Sequence, residues 1–179
     1  MLKSGDILDF GPPGKQTTMT VRKVATETNG QSFDMEMEMD PQTGGPPVHL
    51  HPYAMETYEV LQGKFDVYVN GAWKTLSVGE KVALEKGVPH TFRNASDETI
   101  RVYNSHQPAL NYNGYFEGLH KLAKSSVVPA GQMTFKAMLY QAVLMTRYSD
   151  ENRLVKPPYP VIQVYGFIGR LLKYEVYDD

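Results

Sequence analysis

Residues 44–63 read GGPPVHLHPYAMETYEVLQG. His49 and His51 stand two apart. On an extended strand that spacing puts both side chains on one face, where two imidazoles can converge on a single ion at about 2 Å. Pro52 and Tyr53 permit a turn that resets the parity of the chain. Past it Glu56, Tyr58 and Val60 share a face while Glu59 points the other way, so Glu56 is the candidate carboxylate ligand.

Residues 79–94, GEKVALEKGVPHTFRN, supply a further imidazole. His90 follows a Gly-Val-Pro turn whose Gly87 and Pro89 stiffen the entry to a strand, and Phe92 and Asn94 share its face. The ligand set expected for one divalent metal ion is therefore His49, His51, Glu56 and His90. His106 and His120 fall outside this pattern and are read as surface or barrel-rim residues.

The surrounding segments are short and β-rich. In FDMEMEMD, Phe33, Met35, Met37 and Met39 alternate with Asp34, Glu36, Glu38 and Asp40, the signature of a strand with one buried and one solvated face. VHLH, ETYEVLQ, KFDVYVN, AWKTL, KVALE, HTFRN and TIRVYNS follow, and Gln62-Gly63 and Asn70-Gly71 mark tight reversals between successive hairpins. Many short strands without an intervening helix predict an antiparallel sandwich or closed barrel over about residues 15–108.

The composition changes near Tyr115. Two helices are expected, at 115–124 and 134–148, the second with a core-facing stripe of Phe135, Met138, Leu139, Ala142, Val143 and Met145. Lys156-Pro157-Pro158-Tyr159-Pro160 reads as a stiff connector. The apolar segment behind it, 161–174, is interrupted by Gln163, Arg170 and Lys173 and falls short of the roughly 20 apolar residues a membrane span needs. It is expected to dock on the barrel or on a second subunit, or to lie in a membrane interface. The chain thus divides into a β domain, 1–114, and a helical C-terminal extension, 115–179.

Charge and composition narrow the partners. With 18 basic and 20 acidic residues the formal charge is -2, and no basic run grips phosphates, so no nucleic-acid partner is expected and a small molecule is. The absence of cysteine excludes disulfides, thiolate metal sites and a cysteine nucleophile, leaving imidazole and carboxylate as ligands. The opening MLKSGDILDF lacks the apolar core and cleavage site of a secretory signal, which predicts a cytoplasmic location.

Residues 44–63 resemble the first cupin motif, with His49, His51 and Glu56 on the metal-binding positions of that family; residues 79–94 resemble the second, with His90 on the fourth. Fifteen residues separate Gly63 from Gly79, close to the spacing of small cupins. The glycine opening the first motif lies one residue nearer the histidines than usual, and Glu85 stands where the second motif usually has proline. The resemblance implies an all-β, antiparallel cupin or jelly-roll β-barrel, with the α-helical extension outside it, and a homodimer. The implied cofactor is one ion of Fe, Ni, Mn, Zn or Co.

The pocket expected inside such a barrel is apolar and aromatic, built from Tyr58, Val60 and Phe92 with Tyr53 at its mouth, and suits a small hydrophobic or aromatic substrate. Three function classes stay open: a metal-dependent dioxygenase of the quercetinase-like sort; a metal-dependent isomerase, epimerase or decarboxylase; and a non-catalytic sensor or small-ligand carrier. In the catalytic readings Glu56 can also leave the metal and act as general base.

Overall fold

The alternating patterns become short strands and three helices in the computed structural model, which describes residues 1–12, 14–125, 127 and 134–174. In chain order these are β1 (Ile7–Phe10), β2 (Thr17–Lys23), β3 (Phe33–Met39), β4 (Thr43–Gly44), β5 (His49–Leu50), β6 (Met55–Gln62), β7 (Lys64–Val69), β8 (Ala72–Ser77), β9 (Lys81–Leu84), β10 (His90–Asn94) and β11 (Ile100–Gln107), then α1 (Tyr112–Lys124), α2 (Phe135–Arg147), β12 (Arg153–Leu154) and α3 (Tyr159–Leu171). One antiparallel sheet runs β1-β2-β3-β11-β6-β9. The other runs β12-β5-β10-β7-β8, with β4 also on β10.

The sheets pack face to face, Met37, Met39, Tyr58, Val60 and Val102 of the first meeting Phe65, Val67, Leu76 and Phe92 of the second in a buried cluster. Among the described residues no strand pair joins them, so the expected closed barrel is corrected to an open, two-sheet jelly roll. Gln62-Gly63 shows why. The two residues do not close a hairpin: β6 and β7 belong to different sheets, and the chain crosses between them. Gly63 has φ 77°, and a Cβ there would stand 2.6 Å from Ile100 Cγ2. Asn70-Gly71, with φ 53° and 82°, does close the β7–β8 hairpin, as a turn with two left-handed residues should.

The acidic face of β3 is solvated at Glu38, as expected, but covered at Asp34 and Glu36, a partial correction. Asp34 is buried and accepts hydrogen bonds from Ser105 Oγ and Tyr103 OH on the neighbouring β11. Glu36 is bridged by Arg22 and Arg101 from the strands on either side. Cross-strand neighbours of this kind cannot be read from β3 alone.

α1 starts at Tyr112, three residues earlier than expected, because the Asn111 side chain caps it by accepting from Gly114 N. A division at 114/115 would fall inside this helix. Tyr112 and Phe116 of α1 stack on Phe33, with ring centroids 6.4 and 5.7 Å away, and fix the helix against the first sheet. α2, capped by Thr134, buries Ala137, Leu139, Ala142, Val143, Leu144 and Met145; Phe135, placed by the sequence pattern in the stripe, is 59% exposed at the first turn.

Behind α2 the extension returns β12 to the second sheet, pairing Leu154 with His49. α3 begins within the proline run, with Pro158 at its cap and Pro160 in its first turn, where a missing N–H costs nothing. No described helix is long and apolar enough to cross a membrane.

Candidate metal centre

β5 opens on His49 and leads to His51, the turn after it leads to Glu56 on β6, and β10 sets His90 opposite His49 in register. All four are buried, and one ligand atom from each lies within 4.8 Å of the others. A shared ion at about 2 Å from each donor needs separations of at most about 4 Å, a small side-chain adjustment from this arrangement.

The backbone sets the tautomer of all three rings. Nδ1 of His49 lies 3.0 Å from Pro47 O, that of His51 2.5 Å from Glu151 O, and that of His90 2.8 Å from Val88 O. A carbonyl only accepts, so each Nδ1 carries the proton and donates it, leaving each Nε2 with a free lone pair. Outer contacts of this kind orient ligating histidines and raise their basicity. Tyr112 OH donates to the same Glu151 carbonyl at 2.9 Å and braces the His51 contact.

Glu56 is held as firmly. Its Oε1 accepts from Tyr58 OH at 2.7 Å and Asn104 Nδ2 at 2.8 Å, and His106 Nε2 stands 3.2 Å away. Oε2 faces His51 Nε2 at 3.2 Å and His90 Nε2 at 2.7 Å. The His90 contact lacks hydrogen-bond geometry, leaving that buried nitrogen without a hydrogen-bond partner. Two acceptors at 2.7 Å require a proton or a cation between them, and a nitrogen–oxygen donor set of this kind fits a divalent metal. Burial works to raise the Glu56 pKa, yet the neighbouring His51 and His106 hold it well below the ordinary carboxylate range.

His106 is the main correction to the sequence reading. It is 1% exposed, contacts Glu56, and stacks on Tyr112 with centroids 4.0 Å apart, so it belongs to the interior and not to the surface or rim. The missed signal is the alternation of Ile100, Val102, Asn104 and His106 along one face of β11, which brings His106 opposite Glu56. His120 does lie near the surface, its Nε2 3.0 Å from Asp9. Glu59 points outward to Lys81 at 2.8 Å.

A cavity of about 320 Å³ opens on the His/Glu cluster, walled by Met35, Met37, Tyr58 and Phe92 from the sheets and by Tyr115 and Phe116 from α1. Of the expected pocket residues, Tyr58 and Phe92 line it. Val60 instead packs in the intersheet cluster, one strand turn too deep, and Tyr53 is 53% exposed on the turn after His51, outside the lining. The α1 wall was not anticipated.

Burial and the adjoining rings push the His49 pKa down to about 3. The same ring in the unfolded chain protonates below about 6.5. Between these values the unfolded chain holds the extra proton, so stability falls as the pH falls, by about 1.4 kcal/mol per pH unit for one such ring. His106, lowered by burial, acts in the same direction; His90, which burial lowers but Glu56 raises overall, acts oppositely, its contribution being lost as the pH rises. From the His49 ring alone, chelator-stripped protein is expected to lose roughly 2 kcal/mol between pH 7 and pH 5 in urea titrations. A flat or rising midpoint on acidification would contradict the neutral, buried His49.

Comparison with known proteins agrees with this architecture. The family model described as Cupin domain matches residues 35–106, which include all four candidate ligands. A stretch of 50 residues is 34% identical to the HTH-type transcriptional regulator SutR of Escherichia coli K12, covering 28% of each chain, so little of that regulator is spanned. Among solved structures, a predicted oxalate decarboxylase from Thermotoga maritima superposes with a TM-score of 0.52 at 15% identity, covering 60% of this chain and 98% of its own. KdgF from Halomonas sp. does so with a TM-score of 0.50 at 18% identity, covering 60% and 92%. Likeness at these identities speaks to the fold. With the motif-bearing strands matched by the family model and a two-sheet core like that of these solved structures, residues 35–106 form a cupin domain, which a helical C-terminal extension follows.

Proposed function

We propose that this chain is a mononuclear metal-dependent dioxygenase acting on a small hydrophobic or aromatic substrate. The observation that carries the reading is the set of three oriented imidazoles and one carboxylate at the base of an apolar cavity. His49, His51, Glu56 and His90 would hold the ion, which supplies Lewis acidity and, where redox-active, a site for dioxygen. Its identity among Fe, Ni, Mn, Zn and Co follows from availability as much as from ligand type.

The chain's own residues then have distinct parts. Tyr58, Asn104 and His106 pin Glu56 Oε1, so Glu56 serves as a fixed ligand through Oε2 rather than as a mobile general base. Met35, Met37, Phe92 and Phe116 exclude water and favour a flat apolar substrate, which displaces poorly held solvent at little polar cost.

The non-catalytic carrier is the second reading, favoured by the wall that α1 contributes to the cavity: ligand binding there would be felt directly by the helical extension.

Oxygen-electrode assays of the metal-loaded chain with a panel of hydroxylated aromatics test the proposal. Oxygen uptake in step with substrate loss, absent under nitrogen, is expected. Turnover without oxygen would move the assignment to an isomerase or decarboxylase, and saturable binding without turnover to a carrier.

A further inference from the structure

The cavity that opens on the His/Glu cluster carries a single permanent cation. Of the residues that line it, only Glu56 is acidic and only Lys15 is a lysine or arginine. Glu56 is buried among the histidines, whereas Lys15 is exposed, as are Gly11, Gly44 and Gly45 of the same lining. The exposed members of a lining mark its opening. Lys15 therefore stands at the rim and the cluster at the base, and the rest of the wall is largely apolar, with Met19, Met35, Phe116 and Leu119.

The rim ammonium is fixed in place. Lys15 Nζ donates to Pro41 O at 3.0 Å and to Gln42 O at 2.9 Å, which sets it between the β1–β2 loop and the turn that leads into Thr43 and Gly44 of the lining. The loop is shaped for this: Gly11 has φ 91°, and a Cβ there would collide with the Lys15 carbonyl. Two of the three ammonium donors are thus engaged and one is left. Both partners are neutral carbonyls, so the charge is held without being cancelled, and among the described residues no carboxylate pairs with it. Asp40, beside Pro41, accepts from Gln16 N at 2.9 Å instead. A spare charged donor at the mouth of an otherwise apolar cavity complements one anionic group on an apolar ligand. A phosphate calls for several donors or a guanidinium fork, whereas one ammonium matches one carboxylate.

We propose that the cavity takes an aromatic or similarly apolar carboxylate, with Lys15 as the specificity-determining residue that holds the carboxylate at the rim while the apolar body reaches toward the His/Glu cluster. The inference rests on the same cavity as the dioxygenase reading and narrows its substrate class.

Calorimetric titration of the full chain with trans-cinnamate and with trans-cinnamamide, its neutral isostere, tests it, before and after treatment with a chelator. Tighter binding of cinnamate is expected in both states, with an affinity that falls as salt is added. Lys15→Met, which keeps the length of the stem, should weaken cinnamate about tenfold, the low end for a charge-assisted hydrogen bond because the rim is exposed, and should remove the salt dependence. Binding of cinnamamide should not change, which separates loss of the charge from loosening of the loop, and Lys15→Arg should restore most of the preference. Equal affinity for the two probes, no binding of cinnamate, or a preference for cinnamate that Lys15→Met leaves intact and the chelator abolishes, would each overturn the proposal. The two readings fail separately. A Lys15-dependent preference without oxygen uptake on any substrate keeps the carboxylate subsite and retires the dioxygenase; oxygen uptake on neutral aromatics, unaffected by Lys15→Met, does the reverse.

Discussion

His90→Ala is expected to purify as a folded chain without stoichiometric metal, its affinity reduced at least about a hundredfold. The loss of a partner that merely orients a ligand typically costs 10–100-fold in metal affinity, and His90 would supply a donor atom itself. The fold should survive, because the substitution removes the buried Nε2 that stands 2.7 Å from Glu56 Oε2 without a hydrogen bond, while the strand pairing of β10 with β5 and β7 is made by backbone groups. Glu59→Ala is the matched control: one strand position from Tyr58 it faces Lys81 at the surface, and its loss should leave metal content unchanged. Elemental mass spectrometry on both proteins decides the matter. Metal lost with Glu59→Ala would reverse the assignment of faces on β6, and metal kept with His90→Ala would remove His90 from the ligand set.

The juxtaposition of His49, His51, Glu56 and His90 was legible because it is built from local rules. His49 and His51 share a face by strand parity, a two-residue turn resets that parity before Glu56, and a stiff Gly-Val-Pro entry aims His90. His106 was missed because its place depends on which strand lies beside β6, and β11 arrives there after 37 intervening residues and four crossings between the sheets. Its own alternation with Ile100, Val102 and Asn104 carried the signal. The Glu151 carbonyl that orients His51 had no signature at all: a backbone oxygen is common to every residue, and only the return of β12 to β5 brings it there. The same limit explains the barrel. Gly63 announces a sharp change of direction, but whether the chain turns back in its own sheet or crosses to the other depends on distant partners such as Ile100, which packs against it.

The α1 wall of the cavity depends on one side chain of the first sheet, and Phe33→Ala is expected to cost about 3–5 kcal/mol, the range for truncating a fully buried phenylalanine. Phe33 is fully buried at the start of β3, and Asp34 and Met35 beside it are paired in register with β2 and β11. A backbone tied on both sides cannot move inward to fill the space, so the cost should fall at the cavity-forming end of that range. The ring also joins two functions. It stacks on Tyr112, whose hydroxyl donates to the Glu151 carbonyl behind His51, and on Phe116, which walls the cavity. Loosening α1 should therefore lower metal affinity roughly tenfold, as expected when a partner that orients a ligand is disturbed. Urea titration and competitive metal binding measure the two effects on one preparation, and Phe33→Leu, which keeps most of the volume, should restore the greater part of both. A loss below about 1 kcal/mol would mean that α1 is held by its other contacts. Full stability loss with unchanged metal affinity would mean that His51 is oriented by β12 without help from Tyr112.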